Sequence, residues 1–184
     1  MNTYIFSNCA KSTTSEYTKN LLENVPLDSK LILLNRGNIY WKISAFYKYP
    51  NQSFILRKGY THGLAGYFGL VDLVGSQRPV QDIILIDGGP AEKMKIKIGR
   101  NDNTVEDKTI NTPWFNEYVE KTGGSLPTTG FCAYYLVQDL YNVNPDEIIL
   151  VNFYGNEDSS TGKVKIHNWD YEDEWLKDKN RIFI

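Results

Sequence analysis

TYIFSNCAKSTTSEYTKNLLENVPLDSKLILL, residues 3–34, carries two short apolar runs, Tyr4 to Phe6 and Leu31 to Leu34, on either side of a polar stretch. Unbroken apolar runs of this length mark strands covered on both faces, which is how parallel strands read in α/β proteins. Between them Ser12 and Thr13 are candidate N-caps, Leu21, Leu22 and Val25 supply an apolar helix face, and Pro26 ends the helix. The unit is strand, helix, strand, the building block of a nucleotide-binding sheet.

The same strand signature recurs at Ile83 to Ile86 and at Ile148 to Val151. TPWFNEYVEKTG predicts a helix with Thr112 as cap, Pro113 at its first position and Gly123 near its end. SLPTTG then leads into FCAYYLVQDLYN, an apolar helix closed by Asn142 and Asn144-Pro145, and DEIILVNFYG gives a strand ending in a small-residue turn. Lys93, Lys95, Lys97 and Arg100 alternate with Met94, Ile96 and Ile98, so they read as the solvated face of a strand before a phosphate or membrane patch. Residues 99–111 and 155–165, rich in Asn, Asp, Ser, Thr and Gly, are expected to be exposed loops. Residues 37–59 are compatible with strands or a helix, and THGLAGYFGLVDLVG, residues 61–75, reads as a packed helix. The expected architecture is α/β, a single Rossmann-like domain over residues 1–184 with a mostly parallel central sheet flanked by helices.

With 184 residues, 41% apolar and 23% charged, the chain has the balance of an ordinary globular protein. A net charge of -2 offers no general attraction for a polyphosphate backbone, which argues against nucleic-acid binding. Two cysteines, Cys9 and Cys132, are too few for a disulfide framework, and a reducing compartment is the simpler expectation. MNTYIFSN has neither a basic n-region nor a long apolar core, and no stretch reaches the roughly 18 apolar residues of a membrane span. A cytoplasmic location is therefore expected, with membrane contact only through a partner or a lipid-linked substrate.

Three clusters could carry chemistry. SNCAKSTTS follows the first strand and opens a helix, where backbone N–H groups and the helix dipole hold anions; it is equally a plain capped helix, and it lacks the glycine spacing of a dinucleotide or P-loop fingerprint. In LPTTGF, Pro127 fixes the approach, Thr128 and Thr129 offer hydroxyls, and Gly130 removes a side chain where a ligand could meet the backbone; a helix cap explains the same residues. His167 followed by Glu172 pairs a base with a carboxylate able to orient it, although that spacing arises readily in a chain with 22 acidic residues. His62, in an apolar and Gly-rich stretch, reads as packing. Asp87-Gly88-Gly89-Pro90 reads as a tight turn, and Asp170, Glu172, Asp173 and Glu174 as a solvated face before a cation site. Two His and two Cys without close spacing do not make a structural zinc site, and no GxSxG elbow is present.

Taken in serial order, these pieces resemble the sialyl motifs of sialyltransferases. IFSNCAKS gives a first strand ending in a small-residue turn with Asn8, and LILLNRGN a second strand ending at Asn35. LPTTGFCAYYLVQDLYNVNPDEIILVNFYG is similar to the family's donor-binding motif, and His167 to Glu172 to its final His, four residues, Glu motif. The similarity covers roughly residues 3–38 and 125–175. Cys9 and Cys132 do not fall where many animal members place their disulfide, so the likeness is to a bacterial-type short member.

The resemblance implies a GT-A-variant-like fold and an inverting, metal-independent transfer of sialic acid, or a related acidic sugar, from a CMP-sugar donor to a hydroxyl of a glycan or glycolipid. CMP-sugar is then a substrate, and no cofactor is implied. Asn8 and Asn35 would contact the cytidine monophosphate part, Thr128, Thr129 and Gly130 would surround its phosphate and carboxylate, His167 would take the acceptor proton, and Glu172 would support the structure around His167. Two other readings stay open: a non-catalytic nucleotide- or glycan-binding domain, favoured by the short chain, and a metal-assisted nucleotide or phosphoester hydrolase using the acids around Asp170.

Overall fold

A computed structural model of the chain describes residues 1–7, 14–35, 43–57, 81–86, 93–100, 105–155 and 167–184. The apolar runs form β1 (Thr3–Phe6), β2 (Lys30–Leu34), β3 (Gln52–Arg57), β4 (Asp82–Ile86) and β7 (Ile148–Val151), with β5 (Lys93–Arg100), β6 (Val105–Asn111) and a short β8 (Arg181–Ile182). All eight belong to one sheet in the order β6-β5-β4-β3-β2-β1-β7-β8. From β4 across to β8 every neighbour is parallel, whereas β4, β5 and β6 pair antiparallel. Helices α1 (Thr14–Asn24), α2 (Pro113–Lys121), α3 (Thr129–Tyr141) and α4 (Trp169–Leu176) flank it. The fold is α/β and Rossmann-like, with a mostly parallel sheet.

Successive strand side chains point to opposite faces, so each apolar run feeds two cores. Ile5, Ile32, Leu34, Ile55 and Ile84 join Cys132, Ala133, Leu136 and Val137 of α3 on one face. Tyr4, Phe6, Leu31, Leu33 and Phe54 join Tyr17 and Leu21 of α1 on the other, with Phe46 and Tyr49 from a 3-10 turn over Ser44–Lys48 and its cap. The segment read as strands or a helix is therefore that turn followed by β3.

Three expectations need correction. Residues 99–111 are not a loop: β5 continues to Arg100 and β6 occupies Val105–Asn111. β6 is exposed along most of its length, so its polar composition reflects an edge strand facing water, held by Lys97 to Asp107 at 3.0 Å. Leu22 is 39% exposed, while Tyr17, Leu21 and Val25 are buried. Positions 17, 21 and 25 recur every fourth residue and share the inner stripe, and position 22 falls 100° away. Thr112 occupies the N-cap of α2, but its hydroxyl makes no capping bond and is buried without a hydrogen-bond partner among the described residues. Pro113 at the first helical position sets φ without that cap. Lys97 is exposed against buried Met94, Ile96 and Ile98, as the alternation predicts.

Beyond β1 the chain moves to β2, β3 and β4 on one side, and it returns with β7 and β8 on the other. The order thus reverses at the β1/β7 junction. Carboxyl ends of parallel strands around such a reversal form the crevice where α/β proteins take their ligands. Asn35 directly follows β2, and its φ of 47° places it in the left-handed region that Asn tolerates; Asn152 directly follows β7, with φ of 59°. Ser7 Oγ, following β1, donates to the Asn152 carbonyl at 2.6 Å and ties the two strand ends together. Among the described residues no helix is long and apolar enough to cross a membrane.

Candidate functional site

The turn Leu126–Gly130 lies beside these strand ends and opens α3. Thr128 is its N-cap: backbone φ -66° and ψ 164° are extended, and Oγ1 accepts from the Phe131 N–H at 3.2 Å. α3 packs on β1, β2 and β3. The Phe153 ring packs against its first turn where Gly130 has no Cβ: one placed there would meet that ring. Asn35 Nδ2 donates to Thr129 Oγ1 at 3.0 Å, and Asn35 Oδ1 accepts the Arg57 N–H at 3.2 Å. The side chain of Asn35 is thereby engaged at both ends, joining β2, β3 and α3.

Glu172 reaches the same turn from α4. Its Oε1 accepts from the Thr128 N–H at 2.8 Å and from the Tyr118 hydroxyl at 3.0 Å, and its Oε2 accepts from Thr128 Oγ1 at 2.6 Å. Asn168 caps α4 by accepting from the Tyr171 N–H, and its own N–H donates to the Tyr118 hydroxyl at 3.2 Å. At 6% exposure the Glu172 carboxyl is buried. Burial outweighs the hydrogen bonds from Thr128 and Tyr118 and the nearby Arg57 charge, pushing its pKa up to about 7. Burial and the neighbouring carboxyl push the Tyr118 phenol up as well.

His167 Nδ1 lies 2.6 Å from the Leu126 carbonyl oxygen. A carbonyl only accepts, so Nδ1 carries the hydrogen, and a neutral ring then keeps its lone pair at Nε2. Burial lowers the His167 pKa and the Arg57 charge adds to that, against the opposing bond to Leu126. The ring is thus neutral near pH 7, as a general base must be. Trp169 packs edge-on against it, ring centroids 5.7 Å apart.

His167, Glu172, Thr128, Thr129, Gly130 and Asn35 therefore form one connected assembly. Glu172 does not touch His167; it holds Thr128 while His167 holds Leu126, so the two share a turn. Asn8 lies outside the described residues, as do His62, Cys9, residues 61–75, the turn Asp87-Gly88-Gly89-Pro90 and all of 155–165 except Gly155. The acidic run of α4 diverges: Glu172 points inward, Glu174 pairs with Lys177, and no group of three or more metal-ligating side chains occurs among the described residues.

Two members escaped sequence reasoning. Arg57 ends β3, is 7% exposed and donates through Nη1 to the Pro127 carbonyl. A signal was present, a charge directly after the apolar run SFIL, but it lay in the stretch whose periodicity is ambiguous. Tyr118 left no signal, because in a helix a buried Tyr reads simply as an apolar position.

Comparison with known protein families, curated proteins and solved structures returns no match. Class and chemistry therefore rest on the Rossmann-like fold and on this assembly at its carboxyl edge.

Proposed function

We propose that the chain is an inverting, metal-independent, sialyltransferase-like glycosyltransferase that moves sialic acid, or a related acidic sugar, from a CMP-sugar to a hydroxyl of a glycan or glycolipid. The observation that carries this reading is the joining of the two distant motif segments: beside the strand-order reversal, the turn Leu126–Gly130 bonds to His167 through the Leu126 carbonyl and to Glu172 through Thr128. In this mechanism His167 Nε2 takes the proton of the acceptor hydroxyl as that oxygen attacks the anomeric carbon. The bond from that carbon to the phosphate oxygen breaks, and CMP leaves with its electron pair. Thr129 and Gly130 line the donor subsite, and Asn35, Thr128 and Glu172 hold it in place; the family resemblance gives Asn8 a contact with the cytidine monophosphate part.

The engagement of Glu172 by Thr128 and Tyr118 and of Glu174 by Lys177 weighs against the hydrolase reading, and a binding domain without chemistry has no need of a neutral, oriented imidazole. The test is His167→Ala assayed with CMP-sialic acid and an acceptor panel. Turnover is expected to fall by about a hundredfold or more while CMP affinity, read by thermal shift, is retained. Unchanged turnover removes the mechanism, and CMP binding without transfer or donor hydrolysis in the unaltered chain selects the binding domain.

A further inference from the structure

Phe183 directly follows β8 and is 52% exposed. A lone exposed ring is ordinary on a protein surface, but this one has company. The Tyr154 ring lies 4.9 Å away, tilted by 36°, and the Arg181 guanidinium carbon lies 5.8 Å from the Phe183 centroid. Strand alternation puts residues 181 and 183 on one side of the chain, so the guanidinium and the two rings form one contiguous strip at the carboxyl ends of β7 and β8.

One buried side chain fixes this strip. Asn152 is fully buried, and its Oδ1 accepts from the Ile184 N–H at 2.9 Å and from the Tyr154 hydroxyl at 3.4 Å. Phe183 is thereby anchored through the backbone beside it, and Tyr154 through its phenol. Arg181 is tied down as well, its Nη1 donating to the Phe153 carbonyl at 3.3 Å. Groups ordered in advance lose little freedom on taking a ligand. No carboxylate of the described residues lies within 4.0 Å of Arg181, so the strip ends in an exposed cation without an anion of its own. Ordered rings beside such a cation suit a ligand with an apolar ring face and a carboxylate. An acidic pyranose offers both within one ring, whereas a nucleotide places its phosphate a ribose away from its base.

The strip adjoins the candidate site. The Phe153 ring packs on Gly130 at the first turn of α3, while the Phe153 carbonyl holds Arg181. The donor subsite leans on β2 and β3 through Asn35; the strip lies on β7 and β8, across the strand-order reversal. It therefore meets a different part of the reacting pair. We infer that Arg181, Phe183 and Tyr154 form a subsite for an acidic sugar of the acceptor glycan, the pyranose lying on the rings and its carboxylate meeting the guanidinium. That the sugar belongs to an acceptor rests on the transferase reading; the subsite itself stands on the strip.

The test follows the backbone amide resonances of the isotope-labelled full chain during titration with methyl glucuronide. Its control, methyl glucoside, carries a hydroxymethyl group where the glucuronide has a carboxylate. The amides of Tyr154, Gly155 and Arg181 to Ile184 are expected to move with the glucuronide at lower concentration than with the glucoside. Phe183→Ala is expected to weaken the glucuronide by about fivefold, the worth of one ring contact, and Arg181→Gln to erase the preference for the acid. Amides that ignore the glucuronide, that respond equally to both glycosides, or that shift with protein concentration alone as a second copy covers the rings, overturn the subsite. An affinity unchanged in both variants does the same. With CMP-sialic acid and an acidic acceptor, Phe183→Ala should raise the acceptor KM by a similar factor and leave the donor KM in place; a rise in the donor KM instead overturns the acceptor assignment. Failure of the transferase reading alone has another signature: the glucuronide still moves these amides through Arg181, and no sugar is transferred.

Discussion

Glu172→Gln isolates the energetic consequence of burying a carboxyl beneath the turn. The Glu172 pKa rises from 4.5 to about 7 on folding. At about 1.4 kcal/mol per pKa unit, ionising the folded protein instead of the unfolded chain costs about 3 kcal/mol. The sign follows from proton counting. Between pH 4.5 and 7 the folded state holds more of the proton, so this contribution is fully present below 4.5 and is lost as pH rises through 7. His167 acts the other way: its folded pKa is depressed, so its term disfavours folding as pH falls below about 6.5. The wild-type profile is therefore mixed, and the difference from the variant is the readout. Gln keeps an oxygen to accept from the Thr128 N–H and Tyr118, and its amide can donate to Thr128 Oγ1. In urea titrations from pH 4.5 to 8.5, the wild-type midpoint should fall relative to Glu172→Gln by about 1.5 M, taking an m-value near 2 kcal/mol/M. Midpoints that stay parallel across this range would refute the raised pKa, and with it the claim that burial dominates the three hydrogen bonds.

Two further tests probe the packing around the turn. Gly130→Ala places a methyl 2.4 Å from Phe153 Cε1, so the ring must shift; a loss of about 1–3 kcal/mol is expected in thermal or urea unfolding, and a gain in stability would mean that the ring moves freely. Cys132 is fully buried, and burial pushes its thiol up to about 12. Mass spectrometry after iodoacetamide treatment at pH 8 should find its peptide unmodified in the folded chain and modified in urea, since only the thiolate reacts; rapid native labelling would show that α3 opens locally.

What the sequence determined was local. Apolar runs such as Leu31–Leu34 and Ile148–Val151 can bury both faces only inside a sheet, and Thr128 before an apolar helix is a cap wherever that helix packs. The 99–111 stretch failed because an exposed edge strand and a loop have the same polar composition, and Thr112 took the N-cap position without its side-chain bond because helix caps differ by geometry as well as by residue type. Bringing His167 to Leu126, Glu172 to Thr128 and Arg57 to Pro127 closes sequence separations of 41, 44 and 70 residues. Only the strand order decides such meetings, by setting which carboxyl ends lie beside the start of α3. The same burial that assembles these groups sets their protonation: a neutral imidazole, a carboxyl poised near neutrality and a covered guanidinium are products of lost hydration, a quantity fixed only by the surrounding tertiary structure.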